Sequence, residues 1–386
     1  MPTIDTINPL LELHRQAEAE FQPYGALEVV STFGEPQAEY GAVRKSCAMI
    51  DQPQRAIVEI SGKDRLTFLN NLLSNQTWDK QTKTGMLAGS GVYAFLLNAK
   101  SGRIMLDLNV LELGERTLLE IDRRLVETFI ASLKRYHFAE TITIVDRSGD
   151  LHQLALHGPG STTLLGQASD GAIAAPLPQL HSTAATILSH DVIIWRDDVC
   201  GVPGFHLLID PQHARVVWMH LLTTFSTGNE IGKRPLRPIG WAAFNAARIE
   251  AGRPMFGIDF DDTVLPAETG APTLARAISF TKGCYPGQEI VARMHARKQA
   301  ARCIVGFKMD DDALPIAGAQ IFDQQSNVIG TVTSSTISPM LSNAAIGLAL
   351  IKHSYSDLGK TLHIPAEGSV RTGKVSGLPF INGGAA

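Results

Sequence analysis

The sequence predicts an α+β protein with a small all-β domain at its C-terminal end, and two observations carry that prediction. Strand and helix signals are mixed through the first three quarters without the regular strand–helix alternation of a doubly wound sheet. From Cys303 onward the chain turns to short apolar segments broken by Gly and Ser, such as Ile304–Phe307, Val328–Val332 and Ile346–Leu350. The boundaries that follow are a mixed α+β region over 1–302 and a small all-β domain over 303–386.

The early elements follow from periodicity. A helix is expected around Leu10 to Phe21. Ile57, Val58 and Ile60 make Ala56 to Ile60 a strand, stopped by Ser61-Gly62. Leu66, Leu69, Leu72 and Leu73 then recur at three- and four-residue steps, the mark of a helix with one buried face. Val92–Leu97 and Ile104–Leu111 flank Asn98-Ala99-Lys100-Ser101-Gly102-Arg103, whose turn residues predict an antiparallel hairpin. In its second strand Met105, Asp107 and Asn109 share one face and Leu106, Leu108 and Val110 the other, because side chains alternate. A third strand at Leu118–Ile121 and a helix over Arg123–Tyr136 follow. Further strands are expected near 142–145, 153–156, 192–195 and 206–209, with helices near 214–223 and 241–251.

Composition narrows the function classes. Of 386 residues, 44% are hydrophobic and 19% charged, which excludes a disordered chain. Thirty-four Lys and Arg against 38 Asp and Glu leave a net charge of −4, so no global basic field is available to hold nucleic acid or anionic lipid. The four cysteines Cys47, Cys200, Cys284 and Cys303 form no C-x-x-C pair, and the 12 histidines never fall at metal-ligand spacing. No metal site is expected, and the compartment predicted is reducing. No export signal and no run of about 20 apolar residues is present, so the expectation is a cytoplasmic protein without membrane contact.

Three stretches can carry chemistry. In Lys282–Glu289, KGCYPGQE, Gly283 and Pro286-Gly287 force a turn, and a helix is expected to begin near Pro286 or Gly287. Cys284 would then lie at a helix N-terminus, where free amides lower a thiol pKa and make it a nucleophile, a redox thiol or a soft-metal ligand. A small, half-buried Cys in a turn is the plainer alternative. In Gly240–Gly270 a helix places Arg248 and Glu250 in its last turn, where a carboxylate opposes the helix dipole unless a donor faces it. That donor could be a heterocycle with adjacent N–H groups, or simply Arg248. Asp107 is the third: a general base, a partner for a cationic amine, or an ordinary polar residue of a sheet face. The basic run Arg293, Arg297, Lys298 and Arg302 reads as either a docking patch or a solvated face.

At these residues the chain resembles the folate-binding superfamily of the glycine cleavage T-protein and the YgfZ-like proteins of iron–sulfur maintenance. AVRKSCAMID, NAKSGRIMLDLNV, HGPG, RIEAGRPMFGIDF and GTVTSSTISPML carry the likeness, and KGCYPGQE, NAKSGR and Asn75-Gln76-Thr77 resemble the YgfZ-like branch in particular. The resemblance implies two interleaved α+β subdomains over 1–302, a β-barrel over 303–386, and tetrahydrofolate or a one-carbon derivative as cofactor. Glu250 would anchor the pteridine, with Arg248 beside it and Tyr93 as a pocket aromatic. Cys284 would be the motif cysteine, with Lys282, Gly283, Tyr285, Gly287, Gln288 and Glu289 building its turn. Asp107 falls where T-proteins keep a catalytic Asp. The function implied first is iron–sulfur cluster assembly or repair in client enzymes, including tRNA-modifying radical enzymes. The alternative is folate-dependent aminomethyl or methyl transfer. Gln52-Pro53-Gln54-Arg55 departs from the T-protein's Val-Ser-His-Met.

Overall fold

The computed structural model describes residues 8–173, 175, 177–226, 235–297 and 300–381. Two antiparallel-rich sheets and a closed barrel account for the strands that position the site. The first sheet has the order Thr143–Asp146, Arg55–Ser61, Arg116–Asp122, Ile104–Glu112 and Gly91–Leu97. One face carries Leu106, Leu108 and Val110, and the helices Arg65–Leu72 and Val126–Tyr136 cover it through Phe68, Leu69, Phe129 and Leu133. Asp107 and Asn109 therefore face the other way, as alternation requires.

The second sheet runs Ser182–Ile187, His190–Arg196, Gly204–Ile209, His152–His157, Cys47–Asp51 and Leu236–Pro238, with only the last pair parallel. The helices Ser161–Ala168 and Pro211–Phe225 seal one face with Leu164, Leu165, Val217, Trp218 and Leu221. The uncovered faces of the two sheets turn toward each other. Tyr93, Phe95, Trp195 and Leu208 join Phe256 and Phe260 in one shared apolar cluster.

From Arg302 the chain closes a six-stranded barrel: Arg302–Met309, Ala344–Lys352, Val328–Ser338, Gln320–Phe322, Thr361–Ala366 and Ser369–Ser376, the last pairing back to the first. The α+β class with a C-terminal barrel is thus the one that the sequence predicts. Closure leaves no unpaired edge in this short domain.

Two helices differ from expectation. The first covers only Leu11–Gln16, because Glu18 takes a left-handed conformation at φ 56° and Ala19 donates back to the His14 carbonyl, ending the helix in a Schellman-type turn. The chain then enters the strand Glu20–Tyr24. The second begins at Gln288, not at Pro286 or Gly287, since Gly287 sits at φ 78°. Cys284 therefore lies four residues ahead of the first helical residue. Among the described residues no helix is long and apolar enough to cross a membrane.

Candidate active site

Register builds the first wall of a cavity between the sheets. Tyr93 pairs with Asn109, Phe95 with Asp107, and Asn109 with Glu120, while Arg55 lies opposite Asp122 on the next strand. Same-face diagonal neighbours are within reach of long side chains. Hence the Tyr93 hydroxyl donates to Asp107 Oδ2 at 2.8 Å, and Arg55 forks onto Glu120 at 2.5 and 2.7 Å. Asn109 Nδ2 adds a third bond to Glu120, at 2.9 Å.

The second wall comes from the other sheet. His206 lies opposite Trp195, and their rings stack with centroids 4.2 Å apart and 16° between planes. Gln153 Nε2 lies 3.0 Å from His206 Nδ1, 2.8 Å from Gln52 Oε1 and 3.2 Å from Glu120 Oε1, joining the two walls. At one side Asp197 accepts from Arg253 at 2.8 Å and from Arg276 at 2.6 Å. Arg276 also lies over the Tyr93 ring, 4.4 Å from its centroid. Asn75 fixes that arrangement by donating both to the Tyr93 carbonyl and to the Arg276 carbonyl. The cavity has about 660 Å³ of atom-free space, counting its open mouth.

These neighbours sort the carboxylates. Burial pushes Asp107 up, and Arg55 and the Tyr93 hydrogen bond offset this only in part, so its pKa stands above the ordinary carboxylate value. Burial also acts on Glu120, but the Arg55 fork more than offsets it and the group is held below its usual value. Asp197 is likewise held low, because Arg253 and Arg276 outweigh its burial. Among the described residues that line the cavity, Asp107 is the carboxylate with the raised pKa.

Of the residues singled out in the sequence, Asp107 and Tyr93 line this cavity. Glu250 and Arg248 do not line it. Glu250 is wholly buried, and its carboxylate is occupied by the Tyr40 and Ser338 hydroxyls and by Arg44. Its carbonyl accepts from the amides of Phe380 and Ile381. Arg248 pairs with Asp259 at 2.6 Å, and Asp259 also accepts from Thr333 and Ser334 of the barrel. Both carboxylates thus tie the helix end to the barrel. The loop between them reaches the cavity through Arg253, Pro254, Met255 and Phe256.

The KGCYPGQE residues form a separate feature. Lys282 is buried and donates to the carbonyls of Asn70 and Leu73, at the C-terminal end of the Arg65–Leu72 helix. Its Nζ also lies 4.8 Å from the centre of the buried Tyr285 ring, and burial together with Lys80 lowers its pKa to about 7. A Cβ on Gly287 would stand 3.0 Å from the Asn98 carbonyl, and one on Gly102 would stand 2.9 Å from Ile290. The turn and the NAKSGR hairpin are therefore one docked unit. A Cβ on Gly283 would meet Lys80 at 2.8 Å. Cys284 and Glu289 are exposed and Gln288 half-buried, and none of them lines the cavity. Of the basic run, Arg302 is engaged by Glu268 and Arg293 is exposed; Lys298 and the side chain of Arg297 lie outside the described residues.

Sequence reasoning missed Arg55, Glu120, Gln153, Asp197, His206, Arg253 and Arg276. For Glu120, Gln153 and His206 a signal existed: each is a polar residue inside an apolar strand run, in TLLEI, HQLAL and GFHLL.

Fold and cavity together place the protein among the T-protein-type proteins. The chain belongs to the family described as the GCVT N-terminal domain, matched over residues 10–282, followed by the glycine cleavage T-protein C-terminal barrel domain over 302–382. That family uses tetrahydrofolate. The chain is 26% identical over 374 residues to an aminomethyltransferase of Bacillus subtilis, covering 96% of this chain and 98% of the relative. It is 25% identical to that of Chloroherpeton thalassium, covering 97% and 98%. Its fold is shared with the crystal structure of the glycine cleavage system aminomethyltransferase T from Bartonella henselae, with a TM-score of 0.84, 23% identity and 97% of each chain covered. These relatives carry the name of the alternative reading, aminomethyl transfer, and not that of the iron–sulfur branch.

Proposed function

We propose that the cavity binds a reduced folate and that the protein is a folate-dependent one-carbon transferase of the aminomethyltransferase type. The observation that carries this is Asp107 on the cavity wall, held by Tyr93 and raised in pKa by its enclosure. The cavity's chemistry fits the group. Gln54 Oε1, Asn109 Oδ1, Gln153 Oε1, Trp195 Nε1 and His206 Nε2 are buried there without a protein partner, and a flat heterocycle bearing N–H groups and a carbonyl supplies what they lack. When bound, tetrahydrofolate supplies the amine nitrogen that takes up a one-carbon unit. Tyr93 orients Asp107, and Arg55 with Glu120 fixes the strand face from which Asp107 projects. Asp107 itself holds a proton or a cationic amine at the reacting centre. Arg253 and Arg276, braced by Asp197, fix the flank.

The test is turnover with tetrahydrofolate and an aminomethyl donor. Asp107→Asn lowers turnover by about 10²- to 10⁴-fold, the usual worth of a positioned acid or base, with folate affinity little changed. Absence of folate-dependent transfer in the wild type would overturn the proposal.

A second reading, assistance to iron–sulfur client enzymes, is favoured by one observation, the exposure of Cys284 on a turn braced against the hairpin. It predicts that Cys284→Ala lowers client-enzyme activity in cells and leaves folate-dependent transfer intact.

A further inference from the structure

We propose that Arg276 is a positioning residue for Asp107 that acts through Tyr93: its guanidinium covers the Tyr93 ring and holds the hydroxyl as a strong donor on the carboxylate. The inference rests on the reading of Asp107 as the group at the reacting centre, and its test separates the two.

The contact is built by the backbone, not by two free side chains. Asn75 Nδ2 donates to the Tyr93 carbonyl at 2.8 Å and to the Arg276 carbonyl at 2.9 Å. Beside it, the Ser74 hydroxyl donates to the Ala277 carbonyl at 2.7 Å and accepts from the Phe95 amide at 2.8 Å. The end of the Ala271–Ala277 helix is thereby stitched to the strand Gly91–Leu97, with the Arg276 guanidinium 4.4 Å from the centre of the Tyr93 ring. Asp197, just past the strand His190–Arg196 of the other sheet, holds that guanidinium at 2.6 Å.

Charge makes this arrangement more than a brace. One carboxylate, Asp197, is shared by Arg253 and Arg276, so the trio keeps one net positive charge and presents it to the ring. A cation on an aromatic face is attracted to the ring's electrons, and a phenol polarised in that way is a better hydrogen-bond donor. Burial and Asp107 hold the Tyr93 pKa well above the usual phenol value, with Arg276 and Arg253 opposing, so the hydroxyl keeps its proton and donates. The charged groups that face Asp107 directly are Arg55, Glu120 and Asp122. Arg276 meets it by way of Tyr93, and a stronger Tyr93 donor favours the ionised carboxylate against the effect of burial. Removing Arg276 leaves Asp197 paired with Arg253 at 2.8 Å, so Arg276→Gln creates no bare buried charge.

The test has two parts on the full-length protein. Carbon-13 NMR of labelled Asp carboxyl groups, with Asp107→Asn assigning the signal, follows the Asp107 titration without ligand. Arg276→Gln is expected to raise the midpoint by roughly half a pH unit, the ordinary worth of one cation–π contact, and Arg276→Lys to raise it less. Tyr93→Phe is expected to raise it further, and Tyr93→Phe combined with Arg276→Gln to titrate like Tyr93→Phe alone. An unmoved midpoint in Arg276→Gln, or an additional rise in the double variant, overturns the action through Tyr93 whatever the cavity binds. The acid limb of folate-dependent transfer is then expected to move with the NMR midpoint in each variant. A limb that stays fixed while the midpoint moves overturns the role in transfer alone. No wild-type transfer overturns the transferase reading and, with it, that role, while the NMR result still stands or falls by itself.

Discussion

Half-buried Asp107 and buried Glu120 are carboxylates on the same face of adjacent strands, yet their neighbours drive them apart. Burial raises both, but the Arg55 fork reverses the sign for Glu120 and leaves Asp107 raised. One is a fixed anion and the other a carboxyl able to gain and lose a proton nearer working pH, the division that acid–base sites need. A kinetic consequence follows if the carboxylate form of Asp107 is the active one. Turnover falls on the acid side with a midpoint above the ordinary Asp value of about 4, and the limb disappears in Asp107→Asn. The stability effect has the opposite sense. A carboxyl with a raised folded-state pKa contributes stability that is present below its unfolded pKa and lost as pH rises through the folded one. Asp107→Asn is therefore expected to melt at the same temperature as wild type or higher at neutral pH. A scanning-calorimetry trace showing clear destabilisation would mean that the carboxylate is structural.

At the scale of elements, the hairpin and the turn carrying Cys284 act as one unit, joined where Gly287 and Gly102 leave no room for a side chain. Gly287→Ala meets both a left-handed backbone at φ 78° and contacts of 3.0 to 3.2 Å, so urea denaturation should show a loss of roughly 1–3 kcal/mol. Cys284→Ser, on the exposed side of the same turn, should lie within about 0.5 kcal/mol of wild type. The hairpin, the two faces of its second strand and the all-β character of the last domain are legible because period-two alternation and Gly-broken apolar runs are local signals, whereas closure into a barrel is implied by the family resemblance. The start of the Gln288–Arg297 helix is not legible, because the left-handed Gly287 that delays it is set by packing against Leu97 and Asn98. Glu250 illustrates the limit for the site. Its position in a last helical turn does call for donors, but Tyr40 and Arg44 come from about 200 residues earlier and Ser338 from the barrel, and no local pattern announces them.

At the scale of the whole molecule, two buried carboxylates bind the barrel to the loop that delivers Arg253. Asp259 joins Arg248 to Thr333 and Ser334, and Glu250 joins Tyr40 and Arg44 to Ser338. Asp259→Ala leaves the Arg248 guanidinium buried and uncompensated, an effect of about 3–5 kcal/mol. Denaturation followed by tryptophan fluorescence should register it, and Arg248→Met combined with Asp259→Leu should recover much of the loss. We place the folate in the cavity between the sheets, and not at the Glu250 helix end or on the Cys284 turn. Calorimetric titration with tetrahydrofolate on wild type, Trp195→Ala and Cys284→Ala distinguishes the three. Wild-type binding is expected, with at least tenfold weaker binding in Trp195→Ala from the lost stacking surface and unchanged binding in Cys284→Ala. Binding that survives Trp195→Ala and is lost in Cys284→Ala would contradict that placement.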